Sequence, residues 1–139
     1  MLDLIIKNGA CYIDKELKDQ DIAIKDGKII KIGKTEEVSK EIFDAKGLTV
    51  LPGCIDTQTH FREPGSTDTE DLNSGSRAAI AGGITSVFEM PNTNPPTSNK
   101  KEFQRKLDLA KNRMYCHYAF YFGATADNAK ELAELKNLE

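Results

Sequence analysis

The first fifty residues alternate short apolar runs with turn-forming pairs, which is the pattern of a β-rich segment. Asn8-Gly9 predicts a turn after the first run, and Asp26-Gly27 predicts a tight hairpin between the second and third. The polar stretch over 34–41 predicts a loop or a helical turn. The strands predicted in this segment cover 4–6, 22–24, 29–32 and 48–51.

The pattern changes after Pro52, where apolar strand-length runs begin to alternate with runs of helical period. A capping box at Thr67-x-x-Glu70 predicts a first helix that ends at Gly82-Gly83, and Asn99-x-x-Glu102 predicts the start of a second. Strands are predicted over 54–59, 84–90 and 115–122; the second helix carries apolar residues at 103, 107, 110 and 114, and the third carries Leu132, Leu135 and Leu138.

The order β-α-β-α-β-α predicts an α/β fold with a parallel sheet and right-handed crossovers. Two segments are predicted, a β segment over 1–51 and β/α units over 52–139. A (β/α)8 barrel needs eight units and about 250 residues. We therefore expect the N-terminal portion of a TIM barrel, and a small open α/β domain is the alternative.

Composition narrows the function classes. The net charge of −3 comes from interspersed acidic and basic residues, so no basic field indicates nucleic acid. The longest apolar runs have the length of strands, which argues against a membrane span. Three widely spaced cysteines, Cys11, Cys54 and Cys116, form no metal-binding or redox spacing and are expected to be buried, reduced thiols of a cytoplasmic protein.

The segment 52–65 carries most of the candidate chemistry. Alternation along a strand places Asp56, Gln58 and His60 on one face, with Arg62 just beyond them. A neutral imidazole at the carboxyl end of a strand suits Zn²⁺, and a planar guanidinium suits a substrate carboxylate. The alternatives are a packed or surface histidine and a surface arginine paired with Glu63.

The end of the second strand adds a polar loop, Met90-Pro-Asn-Thr-Asn-Pro95. In a parallel sheet this loop lies beside the end of the first strand, so Asn92 could reach a ligand held by Arg62. An amide both donates and accepts, which suits a ureido or imide group. A loop without a binding role explains the same residues equally well.

Other polar residues receive structural interpretations. Glu63 is expected to orient the turn or cap a neighbour, and His117 to pack within an aromatic strand. The basic residues of the second helix and its end are expected on a solvated face: Lys100, Lys101, Arg105, Lys106, Lys111 and Arg113.

Three segments carry a family resemblance. Pro52-Gly-x-Ile-Asp-x-x-x-His-Phe-Arg-Glu-Pro-Gly65, Met90–Pro95 and Phe120–Thr125 resemble the first three strand ends of the cyclic amidohydrolases, most closely dihydroorotases. The resemblance covers essentially the whole chain and implies a TIM barrel, with the N-terminal strands joining a small β-sandwich.

The resemblance also implies an activity: zinc-dependent, reversible cyclisation of N-carbamoyl-L-aspartate to L-dihydroorotate in pyrimidine synthesis. It makes His60 a zinc ligand, Arg62 and Asn92 the substrate-carboxylate residues, and leaves Asp56 a structural role. The partner is then a small-molecule substrate, with neither nucleic acid nor membrane, and we expect a homo-oligomer. One departure is Gln58, which stands where the family has its first histidine ligand and leaves one or two zinc ions open.

The resemblance places the catalytic aspartate and the remaining ligands on later strands, so no catalytic residue is expected within this chain. Residues 1–139 alone are therefore expected to be an inactive fragment. Two alternatives stay open: a non-catalytic homologue that serves as an assembly partner, and another cyclic amidohydrolase such as an allantoinase or a hydantoinase.

Overall fold

A computed structural model describes residues 1–135, without the side chain of Glu134. The chain divides into two compact units, Met1–Pro52 and Gly53–Glu139. Leu138, expected on the third helix, lies outside the described residues. No helix among those described is long and apolar enough to cross a membrane.

The first unit is a five-stranded sheet with the order β3-β2-β1-β4, in which β5 also pairs with β1. The β1–β2 and β2–β3 pairs are antiparallel, whereas β4 and β5 both run parallel to β1. The strands are β1 (Leu2–Ile13), β2 (Glu16–Lys25), β3 (Lys28–Ile32), β4 (Ser39–Asp44) and β5 (Thr49–Val50).

Turn chemistry in this unit was predicted correctly at one place and wrongly at another. Asp26 and Gly27 form the expected hairpin, both with positive φ. Asn8-Gly9 instead lies inside β1, where a register shift marks a bulge and Asn8 has φ 62°. A Cβ on Gly9 would lie 2.5 Å from Val50, so the bulge needs glycine for close packing.

The polar stretch over 34–41 is only partly a loop, because β4 begins at Ser39. The sequence of β4, Ser39–Asp44, shows no alternation of apolar and polar residues, because the strand has no buried face: all its residues except Ser39 are exposed. Its register along β1 comes from pairing such as Ile5 with Ile42. The small core of this unit contains Leu2, Ile5 and Ala23.

The second unit is a three-stranded parallel sheet with helices between its strands, which confirms the β-α-β-α-β-α order. The strands lie in the order β6-β7-β8. The elements are β6 (Cys54–Thr59), α1 (Leu72–Ala81), β7 (Ile84–Glu89), α2 (Lys100–Ala110), β8 (His117–Phe120) and α3 (Ala129–Glu134).

The helix starts show where capping chemistry is ambiguous in sequence. Asn99 caps α2 as predicted, accepting a hydrogen bond from the Glu102 N–H at 2.9 Å. The box predicted at Thr67 is wrong: α1 begins after Asp71, whose side chain accepts from the Ser74 N–H at 2.6 Å. The first residue of that helix, Leu72, is fully buried, and this burial fixes the N-cap at Asp71, four residues after the predicted cap at Thr67.

The core of the second unit lies between the sheet and the helices. Phe103 and Leu107 pack against it from α2, as the helical spacing predicted, and Ala110 is fully buried. A Cβ on Gly75 would lie 2.5 Å from the Phe61 ring, so glycine lets α1 approach the end of β6 closely. The buried cluster is Phe61, Leu72, Ala79, Val87, Ala110, Cys116 and Phe120.

The three cysteines are free thiols, as expected. Cys11 and Cys116 are buried, but the expectation of burial is wrong for Cys54, which is exposed at the start of β6.

Candidate active site

The loops that follow the three parallel strands meet at one edge of the sheet. The Met90 N–H after β7 donates to the Thr59 carbonyl at the end of β6, at 2.9 Å. The Tyr121 N–H after β8 donates to the Glu89 carbonyl, also at 2.9 Å. Since carboxyl ends of parallel strands gather candidate site residues, this edge is the place to look for chemistry.

The strand that leads to this edge is irregular. Asp56 pairs with Val87 but Thr59 pairs with Glu89, so one extra residue bulges from β6 between these positions. The strict alternation assumed for Asp56, Gln58 and His60 is interrupted here. The Gln58 N–H donates to Asp56 Oδ1 at 2.9 Å, which gives Asp56 a local structural role.

His60 and Asn92 meet at the edge, across the ends of β6 and β7. The imidazole Nδ1 lies 2.9 Å from the Asn92 Oδ1, and both side chains are exposed. With the amide in this orientation its oxygen only accepts, so in the neutral imidazole the proton lies on Nδ1 and Nε2 keeps its lone pair. The contact with Asn92 therefore orients the imidazole ring and favours the Nδ1–H tautomer.

Arg62 is exposed and, within residues 1–135, its guanidinium makes neither a hydrogen bond nor an ion pair. Its charge nevertheless reaches the end of β7: burial raises the pKa of the Glu89 carboxyl, and the positive charge of Arg62 opposes that rise. The alternative interpretation, a surface pair between Arg62 and Glu63, is not what the structure shows.

Glu63 pairs instead with Arg113 through two hydrogen bonds of 2.8 and 2.9 Å. Its Oε2 also accepts from the Leu72 N–H at 3.0 Å, which confirms that Glu63 orients this turn and supports the first turn of α1. The ion pair raises the pKa of Arg113 further. The solvated position expected for Arg113 is therefore wrong.

Glu89 and Lys106 form an ion pair between the end of β7 and helix α2, and both side chains are fully buried. Burial raises the pKa of the Glu89 carboxyl to about 7, against the opposing effect of Lys106 and Arg62. Burial likewise lowers the pKa of Lys106. Apart from this pair, neither Glu89 oxygen accepts a hydrogen bond from any residue in the described part of the chain.

The sequence interpretation missed this pair, since it placed Lys106 on a solvated face. The helical spacing contained a signal: Lys106 falls three residues after Phe103 and four before Ala110, on the apolar side of α2. Glu89 likewise falls two residues after the buried Val87, on the same side of β7.

The residues at this edge provide part of a site for the zinc ion that the family resemblance implies. An exposed imidazole with Nδ1 hydrogen-bonded and Nε2 free fits one zinc ligand. Gln58, also exposed, offers only a neutral carbonyl oxygen. Among residues 1–135, no three His, Cys, Asp or Glu side chains lie close enough together to hold a metal ion.

Comparison with known proteins places these observations in a family. The sequence model of the amidohydrolase family matches residues 49–138. The chain is 44% identical over 140 residues to a dihydroorotase from Methanosarcina mazei, covering 99% of this chain and 30% of that protein. It is 42% identical over 134 residues to an allantoinase from Escherichia coli, covering 96% and 30%.

The fold agrees with a solved structure from the same group. L-Hydantoinase (dihydropyrimidinase) from Arthrobacter aurescens superposes with a TM-score of 0.90 at 31% identity, over 99% of this chain and 31% of that one. The chain therefore spans less than a third of the length of these relatives. On the family match and the shared fold, the chain belongs to the amidohydrolase family and is dihydroorotase-like.

Proposed function

We propose that these residues form the first part of the active site of a cyclic amidohydrolase that interconverts N-carbamoyl-L-aspartate and L-dihydroorotate. The observation that carries the proposal is Arg62, an exposed guanidinium two residues after His60 with no ion-pair partner among the described residues. Both substrates carry carboxylates, which a guanidinium binds through two parallel hydrogen bonds.

Asn92 has a second role in this proposal. Its Oδ1 accepts from His60, which leaves its amide NH₂ to donate to a substrate oxygen. One amide then holds the imidazole and contributes to substrate binding at the same time. The Asn92 interaction with His60 goes beyond the substrate role that the resemblance implies.

His60 would hold zinc through Nε2, with Gln58 a doubtful second ligand beside it. When bound, zinc supplies Lewis-acid polarisation of the amide carbonyl and an activated water. The part of the chain described here provides binding and orientation, and we place no catalytic acid or base on it. For residues 1–139 alone we expect no turnover of dihydroorotate.

Two other functions have specific support. The allantoinase is nearly as similar as the dihydroorotase, at 42% against 44% identity, so overall identity does not separate the two substrates. A non-catalytic assembly partner is favoured by Gln58, because loss of a histidine ligand weakens a zinc site. Arg62 argues for the carboxylate-bearing substrate.

The test uses the complete gene product that contains these residues, assayed with dihydroorotate and with allantoin. We expect Arg62→Met to lower kcat/KM for dihydroorotate about 100-fold or more, because the carboxylate loses a charge-assisted contact, while bound zinc stays unchanged. Arg77→Met is the matched control, since Arg77 is an exposed arginine on α1.

Retained turnover of dihydroorotate by Arg62→Met would contradict the proposed contact. Turnover of allantoin but not of dihydroorotate by the wild-type protein would support the allantoinase alternative. A folded wild-type protein that turns over neither substrate after zinc loading would support the non-catalytic alternative.

A further inference from the structure

The buried ion pair of Glu89 and Lys106 lies next to the candidate site but outside it. Lys106 has no exposed surface, and its ammonium also donates to the Met90 carbonyl at 3.2 Å and lies 5.2 Å from the centre of the Phe120 ring. A buried ion pair often contributes no more to stability than apolar residues of the same volume. Stability alone therefore does not explain why Glu89 and Lys106 are buried here as an ion pair.

The position of Met90 supplies that explanation. Its N–H donates to the Thr59 carbonyl, one residue before His60, while its C=O accepts from Lys106. The same peptide segment is thus held on one side by the end of β6 and on the other by helix α2. Asn92, two residues on, receives its position from this anchored segment.

The far side of the loop is also fixed. The Thr97 N–H donates to the Pro91 carbonyl at 2.9 Å, and the Gly123 N–H donates to the Thr97 carbonyl at 2.7 Å. These contacts fix the loop to the end of β8. Met90 and Pro91 directly precede Asn92. Of the contacts named above to these two residues, the one from Lys106 comes from a charged side chain, and the others come from backbone groups.

We propose that Lys106, held by Glu89, is a positioning residue: through the Met90 carbonyl it places Asn92 against His60 and so sets the Nδ1–H tautomer of that imidazole. This inference deepens the proposed function, since it concerns the same site, but it makes a claim about the chain's own residues that requires neither substrate nor metal. A purely structural ion pair would affect folding without selecting a tautomer.

The experiment reads the tautomer of His60 directly, by long-range ¹H–¹⁵N spectra of the 139-residue chain labelled at histidine. The spectra are recorded at about pH 9, where the ¹⁵N shifts of the two ring nitrogens of a neutral imidazole report the tautomer. The chain has two histidines, so a His117→Gln variant identifies the signals of His60. Asn92→Ala supplies the spectrum of His60 without its partner.

We expect the wild-type chain to show the Nδ1–H form, and Glu89→Leu/Lys106→Met to resemble Asn92→Ala. The double variant removes both charges together, which keeps an uncompensated charge out of the core. Lys101→Met, the same change at an exposed position of α2, should leave the wild-type spectrum unchanged. A folded double variant that keeps the wild-type Nδ1–H spectrum would overturn the proposal.

A second measurement needs no variant and covers the case in which the double variant does not fold. In the wild-type chain, the hydrogen bond from Lys106 Nζ should give a scalar coupling to the Met90 carbonyl carbon. An observed Lys106 ammonium signal without that coupling would also overturn the proposal. Neither result depends on turnover, so a failure of the assigned reaction stays distinguishable from a failure of this inference.

Discussion

Arg113 and Glu63, 50 residues apart in the sequence, form a two-point ion pair through Nη1–Oε1 and Nη2–Oε2 contacts of 2.8 and 2.9 Å. Glu63 directly follows Arg62, and Arg113 follows the end of helix α2. The pair therefore fixes the turn after His60 and Arg62 to a distant part of the same unit. The ion pair therefore stabilises the turn that carries His60 and Arg62, although neither Glu63 nor Arg113 is a candidate site residue.

We expect Arg113→Met to lower the free energy of unfolding by about 2 kcal/mol, because two charge-assisted hydrogen bonds are lost and the Glu63 carboxylate stays buried. Urea unfolding monitored by circular dichroism measures this change. Arg105→Met is the control: Arg105 makes an exposed pair with Glu102 at 3.4 Å, and its loss should cost about 0.5 kcal/mol or less. Equal losses in both variants would contradict the assigned role.

The contact between Gly75 and Phe61 gives a second prediction. Gly75→Ala should destabilise the chain by about 1–3 kcal/mol, because the added methyl group meets the Phe61 ring at 2.5 Å in a filled core. This sign is opposite to the usual effect of alanine in a helix, which favours Ala over Gly by about 1 kcal/mol.

The control for that substitution is Gly82→Ala, at the end of the same helix. A Cβ there would meet carbonyl oxygens only at 3.5 Å and beyond, so the change should be close to neutral. Thermal unfolding of both variants checks the pair. A stabilising effect of Gly75→Ala would show that Phe61 moves aside at no cost.

The sequence was sufficient for the features that depend on local pattern. Alternating apolar strands and helices predicted the parallel sheet, and a side-chain cap predicted the start of α2 at Asn99. It failed where contacts distant in sequence decide. The start of α1 depends on the burial of Leu72 and its hydrogen bond to Glu63, neither of which a capping pattern contains.

In the candidate site, too, the residues follow from local pattern, whereas their contacts depend on parts of the chain that are distant in sequence. His60, Arg62 and Asn92 were named from the residues, but the contact between His60 and Asn92 depends on how two loops meet. Lys106 and Arg113 were placed on a solvated face because charged residues on a helix usually are. Their partners, Glu89 and Glu63, lie 17 and 50 positions earlier, so no local pattern connects them.

Gln58 leads to a prediction about metal content. Because a neutral amide oxygen is a poor zinc ligand, we expect the complete gene product to hold less than two tightly bound zinc ions, and Gln58→His to increase the bound zinc. Metal analysis after dialysis against a weak chelator measures the stoichiometry. Two tightly bound zinc ions in the wild-type protein would contradict the prediction, as would no gain from the histidine.

The buried pair predicts a coupling in stability. Lys106→Met should cost about 3–5 kcal/mol, since it leaves the Glu89 carboxylate unpaired in the core. Glu89→Leu/Lys106→Met should come within about 1 kcal/mol of the wild-type chain or exceed it, because no charge is then buried. Urea unfolding of the single and double variants gives the coupling energy. Additive losses would show that the two side chains do not interact.

The same carboxyl should make stability depend on pH. Burial raises the pKa of Glu89 from 4.5 to about 7 in the folded chain, so between these values the folded state binds a proton that the unfolded state has released. The stabilisation from that proton is complete below pH 4.5 and is lost as the pH rises through about 7. The lost contribution is on the order of 3 kcal/mol.

Glu89→Gln does not titrate, so the stability of the wild-type chain relative to this variant should fall by that amount across the interval. Chemical unfolding at several pH values measures the difference, and a constant difference would show that Glu89 has an ordinary carboxyl pKa. Asp21 and Asp71 have lowered pKa values and behave in the opposite way: their stabilising contribution is present at neutral pH and is lost as the pH falls through their folded-state pKa values.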